Sequence, residues 1–322
     1  MIGKLFRLDV LIVLLFLLSV LSMFVGVVEL HPRDIFSLSE DQQSILLNSR
    51  LPRTVSIIIA GASLAVCGLI MQQLTRNKFV SPTTAGTMDW AQLGILIGLV
   101  FFPGVSMLGR LAFASILAVV GTLLFMQIIN RIKFKDIIFV PLIGLMLGGV
   151  ISSISTFIAL RTNMLQAISG WMHGSFSTLV AGKYEILYIS IPLFILALLY
   201  ANQFTVAGMG EDFSKNLGLN YQRVLYIGLF ITAVITALVV VSVGMLPFLG
   251  LIVPNVVSVF RGDHLRSTIF LTAVLGAVFV MICDVIGRVV IYPYEISVGL
   301  TIAIIGGFVF LFLIFRRAGA NA

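Results

Sequence analysis

The sequence predicts an all-α polytopic membrane protein with about ten transmembrane helices, and three observations predict it. Of 322 residues, 60% are hydrophobic and only 10% charged, where a soluble domain carries roughly a quarter charged residues. Nine long stretches contain no Asp, Glu, Lys or Arg at all, and a helix crossing a bilayer needs about 20 mostly apolar residues. The 20 Lys and Arg residues are scattered among those stretches, which is the pattern of a topology signal and not of a nucleic-acid-binding stripe. The 29 glycines suit helices that pack closely in lipid.

Taken in order, the uncharged stretches are Val10–Val28, Thr54–Thr75, Trp90–Gly109, Leu111–Asn130, Ile137–Leu160, Thr162–Gly182, Ile186–Gly210, Val224–Phe260 and Ile296–Phe315. Val10–Val28 is too long for a typical signal-peptide core and reads as a retained first helix. Ser267–Val290 joins the set despite Asp284 and Arg288, which stand four apart and can neutralise each other on one helix face. Two stretches need arbitration. Thr162–Gly182 is rich in Ser, Thr, Asn and Gln, and Val224–Phe260 is nearly twice a span, with Gly244 and Pro247 near its middle.

Cytoplasmic loops carry an excess of Lys and Arg. If Thr162–Gly182 is a re-entrant or surface segment and the long stretch breaks near Met245, ten helices result with both termini inside. Lys4, Arg7, Arg76, Lys78, Arg131, Lys133, Lys135, Lys215, Arg223, Arg261, Arg266, Arg316 and Arg317 then lie inside, and Arg33, Arg50, Arg53, Arg110, Arg161, Lys183 and Arg288 outside. That is thirteen to seven, whereas counting Thr162–Gly182 as a span abolishes the bias. Four spans from Thr54 and four from Val224 then run in opposite senses, as in the inverted repeats of many transporters. The whole chain, 1–322, reads as a single transmembrane domain.

Several function classes are excluded. No Gly-x-x-x-x-Gly-Lys-Ser/Thr loop and no strand-linked Gly-x-Gly-x-x-Gly is present, so the chain does not hydrolyse ATP by itself. His31, His173 and His264 are far apart and lack metal-ligand spacing, and Cys67 and Cys283 lie inside apolar stretches as packing residues. No catalytic constellation and no metal site can be assigned. Ion-coupled carriers keep charged groups at mid-membrane depth, and here only Asp89, Arg110, Asp284 and Arg288 come near the spans, towards their ends. The chain reads as a conduit whose energy comes from a partner.

The most informative segment begins Arg50-Leu51-Pro52-Arg53 and continues through Ala60-Gly61-Ala62-Ser63-Leu64-Ala65, Gly68 and Gln72-Gln73-Leu74-Thr75-Arg76-Asn77 to Pro82. With Trp171 and Gly174-Ser175-Phe176-Ser177, Gly250-Leu251-Ile252-Val253-Pro254, Asp263-His264, and Glu295 with Val298-Gly299, it closely resembles the iron–siderophore and vitamin B12 permeases, the FecCD-type subunits of ABC importers, over essentially the whole chain. The resemblance implies the type II ABC importer permease fold. It further implies a dimer with a second permease protomer, identical or sibling, two cytoplasmic ATPase subunits that use ATP and Mg, and an extracytoplasmic solute-binding protein. This chain itself would bind no cofactor, and it would lie in the bacterial plasma membrane.

Two sites follow from the resemblance, each with a physical rationale. Arg50 and Arg53 flank a proline at the outer mouth of the second span, spaced so that a short extended Leu-Pro turn would present two guanidinium groups to an acidic partner. In the family, arginines at these positions and at the position of Arg288 receive glutamates of the binding protein. The alternative is that these arginines anchor helix ends at the headgroups, and for Arg288 that Asp284 competes. On the inner side, Gly208–Leu219 reads as a short helix, with Gly210 before it, Glu211 and Asp212 at its N-terminal end, an apolar face of Phe213 and Leu217, and Gly218 as its stop. It resembles the coupling helix that fits a groove on the ATPase, the alternative being an amphipathic linker on the membrane surface.

Asn255 after Pro254, where histidine is common, and Met88-Asp89-Trp90-Ala91, where a small Ser/Gly-rich sequence is usual, depart from the family pattern. Val80–Gly86 and the turn around Lys135 read as an inner gate. The expected function is import of an iron–siderophore chelate; the alternatives are haem or cobalamin in the same machinery, or a secondary transporter coupled through Asp89 or Asp284.

Overall fold

Uncharged sequence becomes helix throughout the computed structural model, which describes residues 7–26, 28, 39–132 and 138–320. The helices are α1 (Leu8–Phe24), α2 (Glu40–Ile45), α3 (Leu51–Thr75), α4 (Thr87–Phe101), α5 (Met107–Arg131), α6 (Phe139–Arg161), α7 (Leu165–Met172), α8 (Ser190–Leu199), α9 (Ala201–Gly208), α10 (Glu211–Asn216), α11 (Tyr221–Ser242), α12 (Leu249–Arg261), α13 (Leu265–Val289) and α14 (Val298–Ala320). No strand occurs among the described residues. His31, Arg33, Lys4 and the turn around Lys135 lie outside them.

By length and composition alone, five helices can cross a membrane, and a sixth if the bent pair α8–α9 counts as one span; α1, α4, α12 and Val298–Phe312 are shorter apolar helices. With the bent pair counted once, these fall at the positions of the ten helices expected from the sequence, and Thr162–Gly182 holds none of them. The protein is a multi-pass membrane protein, and its large exposed side chains fit that reading: Phe16, Leu145, Met146 and Phe308 face outward as a lipid-facing surface requires.

Both ambiguous stretches resolve as the charge bias predicts. Thr162–Gly182 forms only the eight-residue α7 followed by irregular chain, too short to cross a bilayer. Val224–Phe260 breaks between Ser242 and Leu249, where Gly244 and Phe248 adopt positive φ. Ile186–Gly210, expected as one helix, does not run straight. A 3₁₀ turn at Tyr184–Ile189 leads into α8, and the chain bends by 59° at Tyr200 before α9.

The centre of the molecule is α3, which packs against α11, α12 and α13 and buries Ile57, Leu64, Ile70 and Met71 completely. Gly68 lets α12 approach: a Cβ built there would stand 1.8 Å from the Gly250 carbonyl oxygen. Pro254 in α12 has no N–H for the Gly250 carbonyl, and the Gln72 side-chain nitrogen approaches that oxygen at 3.5 Å instead. Asn255 donates to Leu251 O at 2.8 Å and to Lys78 O at 2.7 Å, tying α12 to the loop after α3. That loop is fixed further by the Gln73 amide on Asp263 O at 2.8 Å and by the Lys78–Asp263 ion pair.

The expected extended Leu-Pro turn at Arg50–Arg53 is instead helical. Ser39 and Gln42 form a reciprocal capping box that starts α2, and helix continues from Glu40 to Thr75 over 36 residues. Pro52 cannot donate to the carbonyl of Asn48. The chain accommodates it with a π-turn at Leu46–Arg50, in which Leu51 N–H reaches back to Leu46 O, and the freed Asn48 carbonyl accepts the Ala181 N–H at 3.0 Å. The same irregular segment is held twice more, by Ser175 N–H on Val243 O at 2.8 Å and by Gly299 N–H on Gly174 O at 3.1 Å. It straps together α3, α11 and α14 at this end.

Candidate functional site

Helical geometry sends Arg50 and Arg53, three residues apart, to different partners. Arg50 is buried, and its guanidinium donates to Met23 O at 2.5 Å and to Val28 O. Arg288, from α13, is 5% exposed and donates to Ser22 O at 2.9 Å, Val25 O at 2.8 Å and Ser22 Oγ at 2.5 Å. The last carbonyls of a helix have no partner within it, and cations there complement the dipole. Two arginines therefore close the C-terminal end of α1.

Arg53 is engaged differently. Its Nε and one terminal nitrogen donate to Asp284 Oδ1 at 3.2 and 2.8 Å, while the other terminal nitrogen lies 2.9 Å from both Glu295 oxygens. Asp284 is wholly buried, and its second oxygen lies 2.7 Å from Arg288 as an ion pair. The expected local Asp284–Arg288 pair is present, and it forms part of a larger set in which Arg53 and Arg288 balance Asp284 and Glu295. Of the three predicted docking arginines, Arg53 retains solvent contact beside the half-exposed Glu295, with 13% of its side chain exposed. Ser22 and Glu295 were not expected as partners here, nor was Asp284 as a partner of Arg53; Ser22 and Arg288 stand 266 positions apart, a separation over which sequence spacing carries no signal.

At the opposite end, α10 is built by specific local chemistry. Gly210 has φ 121°, a conformation that favours glycine, and turns the chain out of α9. The buried Ser214 hydroxyl donates to Gly210 O at 2.6 Å and Val206 O at 3.0 Å, locking the turn. Leu219 N–H reaches Ser214 O and Gly218 N–H reaches Lys215 O, each at 2.9 Å, a Schellman closure with Gly218 in the left-handed region. Glu211 pairs with Lys215 at 2.8 Å, and its hydrogen bond raises the lysine above its ordinary value. Phe213 and Leu217 are exposed on this helix, together with Met209 just before it. A Cβ on Gly208 would stand 2.3 Å from Gln73 Oε1, so the segment rests on the Gln72–Asn77 end of α3.

Among the described residues no three His, Cys, Asp or Glu side chains gather as metal ligands. His264 caps α13 through Nδ1, accepting the Ser267 N–H at 3.3 Å. Asp89 lies against α6, where a Cβ on Gly148 would stand 2.6 Å from its Oδ2.

The FecCD transport family matches residues 13–316. The chain belongs to this family. Among its relatives, the petrobactin import system permease protein YclN of Bacillus subtilis is 58% identical over 311 residues, covering 97% of this chain and 98% of that one. The ferric-anguibactin transport system permease protein FatD of Vibrio anguillarum is 41% identical over 305 residues, covering 95% and 97%. A solved metal-chelate type ABC transporter in an inward-facing conformation superposes with a TM-score of 0.82 at 24% identity, over 96% of this chain and 98% of that one. The fold is therefore that of ABC importer permeases, and this FecCD protein is a transport subunit and not an enzyme, made to work in a membrane complex with an ATPase and a binding protein.

Proposed function

We propose that this chain is the membrane permease of an ATP-driven importer that moves an iron–siderophore chelate into the cytoplasm. The observation that carries the reading is the 58% identity, along nearly its whole length, to a petrobactin import permease. Ferric petrobactin is accordingly the first cargo to test.

In this reading ten helices cross a bacterial plasma membrane with both termini in the cytoplasm, in agreement with the thirteen-to-seven distribution of Lys and Arg. The blocks α3–α6 and α11–α14 are its inverted halves. The permease pairs with a second protomer, either a copy or a sibling. Two ATPase subunits use the ATP and Mg, and this chain binds no cofactor. A solute-binding protein docks on the outside over Arg53, with Arg50 and Arg288 beneath it. Inside, Gly210, Glu211, Phe213, Leu217 and Gly218 form the helix that the ATPase grips. The exposure of Phe213 and Leu217 on a firmly capped helix supports that role.

The test is accumulation of iron-55 petrobactin in proteoliposomes containing this chain with its ATPase and binding protein, with haem and cobalamin as competitors. Uptake that requires ATP and the binding protein is expected, without competition by haem or cobalamin. Suppression by haem or cobalamin reassigns the cargo. Uptake that follows an ion gradient with no ATPase overturns the reading in favour of coupling through Asp89 or Asp284.

A further inference from the structure

A cleft of about 610 Å³ opens at the same end as Arg53, between α4, the start of α5, the end of α11 and the Gly170–Lys183 segment. Its polar lining is Arg110, Lys183, Ser175, Thr178 and Ser242, and its floor is apolar, including Ile95, Leu179 and Val243. Among the described residues no carboxylate lines it. The neighbouring Glu185 carboxylate accepts the Gly182 N–H at 2.8 Å.

These two cations differ from the arginines near α1. Arg53 and Arg288 are balanced by Asp284 and Glu295. Among the described residues neither Arg110 nor Lys183 has an ion-pair partner, and Arg110 Nε is buried with no acceptor. A buried donor without a partner is costly. Together they leave two uncompensated positive charges and three hydroxyls around an apolar floor, the composition of a small-molecule site. The volume lies inside the ~300–1,000 Å³ range of such sites and exceeds what one acidic side chain of a protein partner would fill.

We infer that this cleft is an anion-binding site for the transported chelate, and that the cargo is net anionic. The inference rests on the proposed function. Iron(III) held by six anionic oxygens carries three negative charges in excess, and guanidinium and ammonium groups at the cleft would receive peripheral carboxylates or phenolates. A lipid phosphate offers similar chemistry, so the test separates the two.

Iron-55 petrobactin binding to the purified permease in zwitterionic detergent is measured by equilibrium dialysis, and uptake by the full complex in proteoliposomes. The variants are Lys183→Gln, at an exposed side chain, Arg110→Gln, and Arg110→Lys as a charge-keeping control. Each neutral variant is expected to weaken binding and raise the KM of uptake about 10- to 100-fold, with Arg110→Lys close to wild type. Unchanged affinity and KM in both neutral variants overturn the inference while wild-type uptake leaves the proposed function standing. Absence of wild-type uptake overturns the proposed function itself. Thermal unfolding with and without added phosphatidylglycerol, and the binding-protein concentration that half-saturates uptake, are measured alongside: if the neutral variants change only the response to phosphatidylglycerol, the occupant is a lipid; if they change only the half-saturation, it is a docking partner. Either result also overturns the inference.

Discussion

Asp284→Asn is the substitution that most directly tests how the arginine end is held. Asp284 is wholly buried and stands 2.8 Å from Arg53 and 2.7 Å from Arg288. Asparagine keeps the shape and removes the charge. Arg53 retains Glu295, so the loss falls on Arg288, whose other acceptors are the neutral Ser22 and Val25 groups. Removing one member of a buried ion pair costs about 3–5 kcal/mol because the remaining charge is left uncompensated. Glu295→Gln removes a half-exposed partner and should cost at most about 1 kcal/mol. Denaturant unfolding in detergent micelles reads both values, and hydrogen exchange at residues 22–26 should accelerate selectively in Asp284→Asn. Adding Arg288→Met should recover most of the loss, since a buried pair is often replaceable by apolar side chains. If Asp284→Asn costs less than Glu295→Gln, the balance of charge described for this cluster is wrong.

Three further outcomes are expected. Leu217→Asp should release the ATPase from the detergent-purified permease while leaving thermal unfolding unchanged, because the side chain is exposed and α10 is closed by backbone bonds; co-purification of the ATPase at wild-type levels refutes the coupling role. Gly68→Ala should reach or exceed the ~3 kcal/mol upper end of usual overpacking costs, since its Cβ would collide with the Gly250 carbonyl, whereas Gly149→Ala, with nothing within 4 Å, should change stability by less than about 1 kcal/mol; unfolding midpoints compare the two. Ser39→Ala should cost about 1 kcal/mol by removing the α2 cap, visible as faster hydrogen exchange confined to residues 40–45.

Much of the fold was legible because membrane helices declare themselves by what they lack. Charge-free stretches located the apolar helices, the Gly244–Pro247 break was visible, and α10 could be read from Gly210 to Gly218 because its caps are local. The failures were all matters of partner or direction. Pro52 suggested an extended turn, but a π-turn absorbed it within one helix, and no sequence rule foretells which remedy a helix adopts. The 59° bend at Tyr200 has neither proline nor glycine to mark it. Asp284 and Arg288 were legible as a pair because four residues make one helical turn; that Arg53 completes the set depends on how α3 packs against α13. The unpaired state of Arg110 and Lys183 was invisible for the same reason, since a charge is unbalanced only relative to neighbours that folding supplies.

The three arginines expected to dock a partner can now be ranked by what docking would cost each. For Arg50 and Arg288 to meet an external carboxylate, they must leave the carbonyls of Met23, Ser22 and Val25, and each carbonyl left buried without a donor costs about 1–3 kcal/mol. Arg53 faces a smaller barrier. Its Glu295 partner is half-exposed and can be exchanged for a carboxylate of the binding protein, a like-for-like substitution that is nearly neutral in energy. Such an exchange adds little affinity and mainly confers orientation and association rate, as rim charges do. Arg53→Gln is therefore expected to slow association of the binding protein and flatten its salt dependence, with the maximal rate of stimulated ATP hydrolysis preserved. Arg50→Gln is expected to lower thermal stability by loosening α1 and to leave the salt dependence intact. Stopped-flow association at several ionic strengths, alongside unfolding of each variant, separates the two. A loss of salt dependence in Arg50→Gln equal to that in Arg53→Gln would show that both arginines meet the partner and that the clasp on α1 opens on docking.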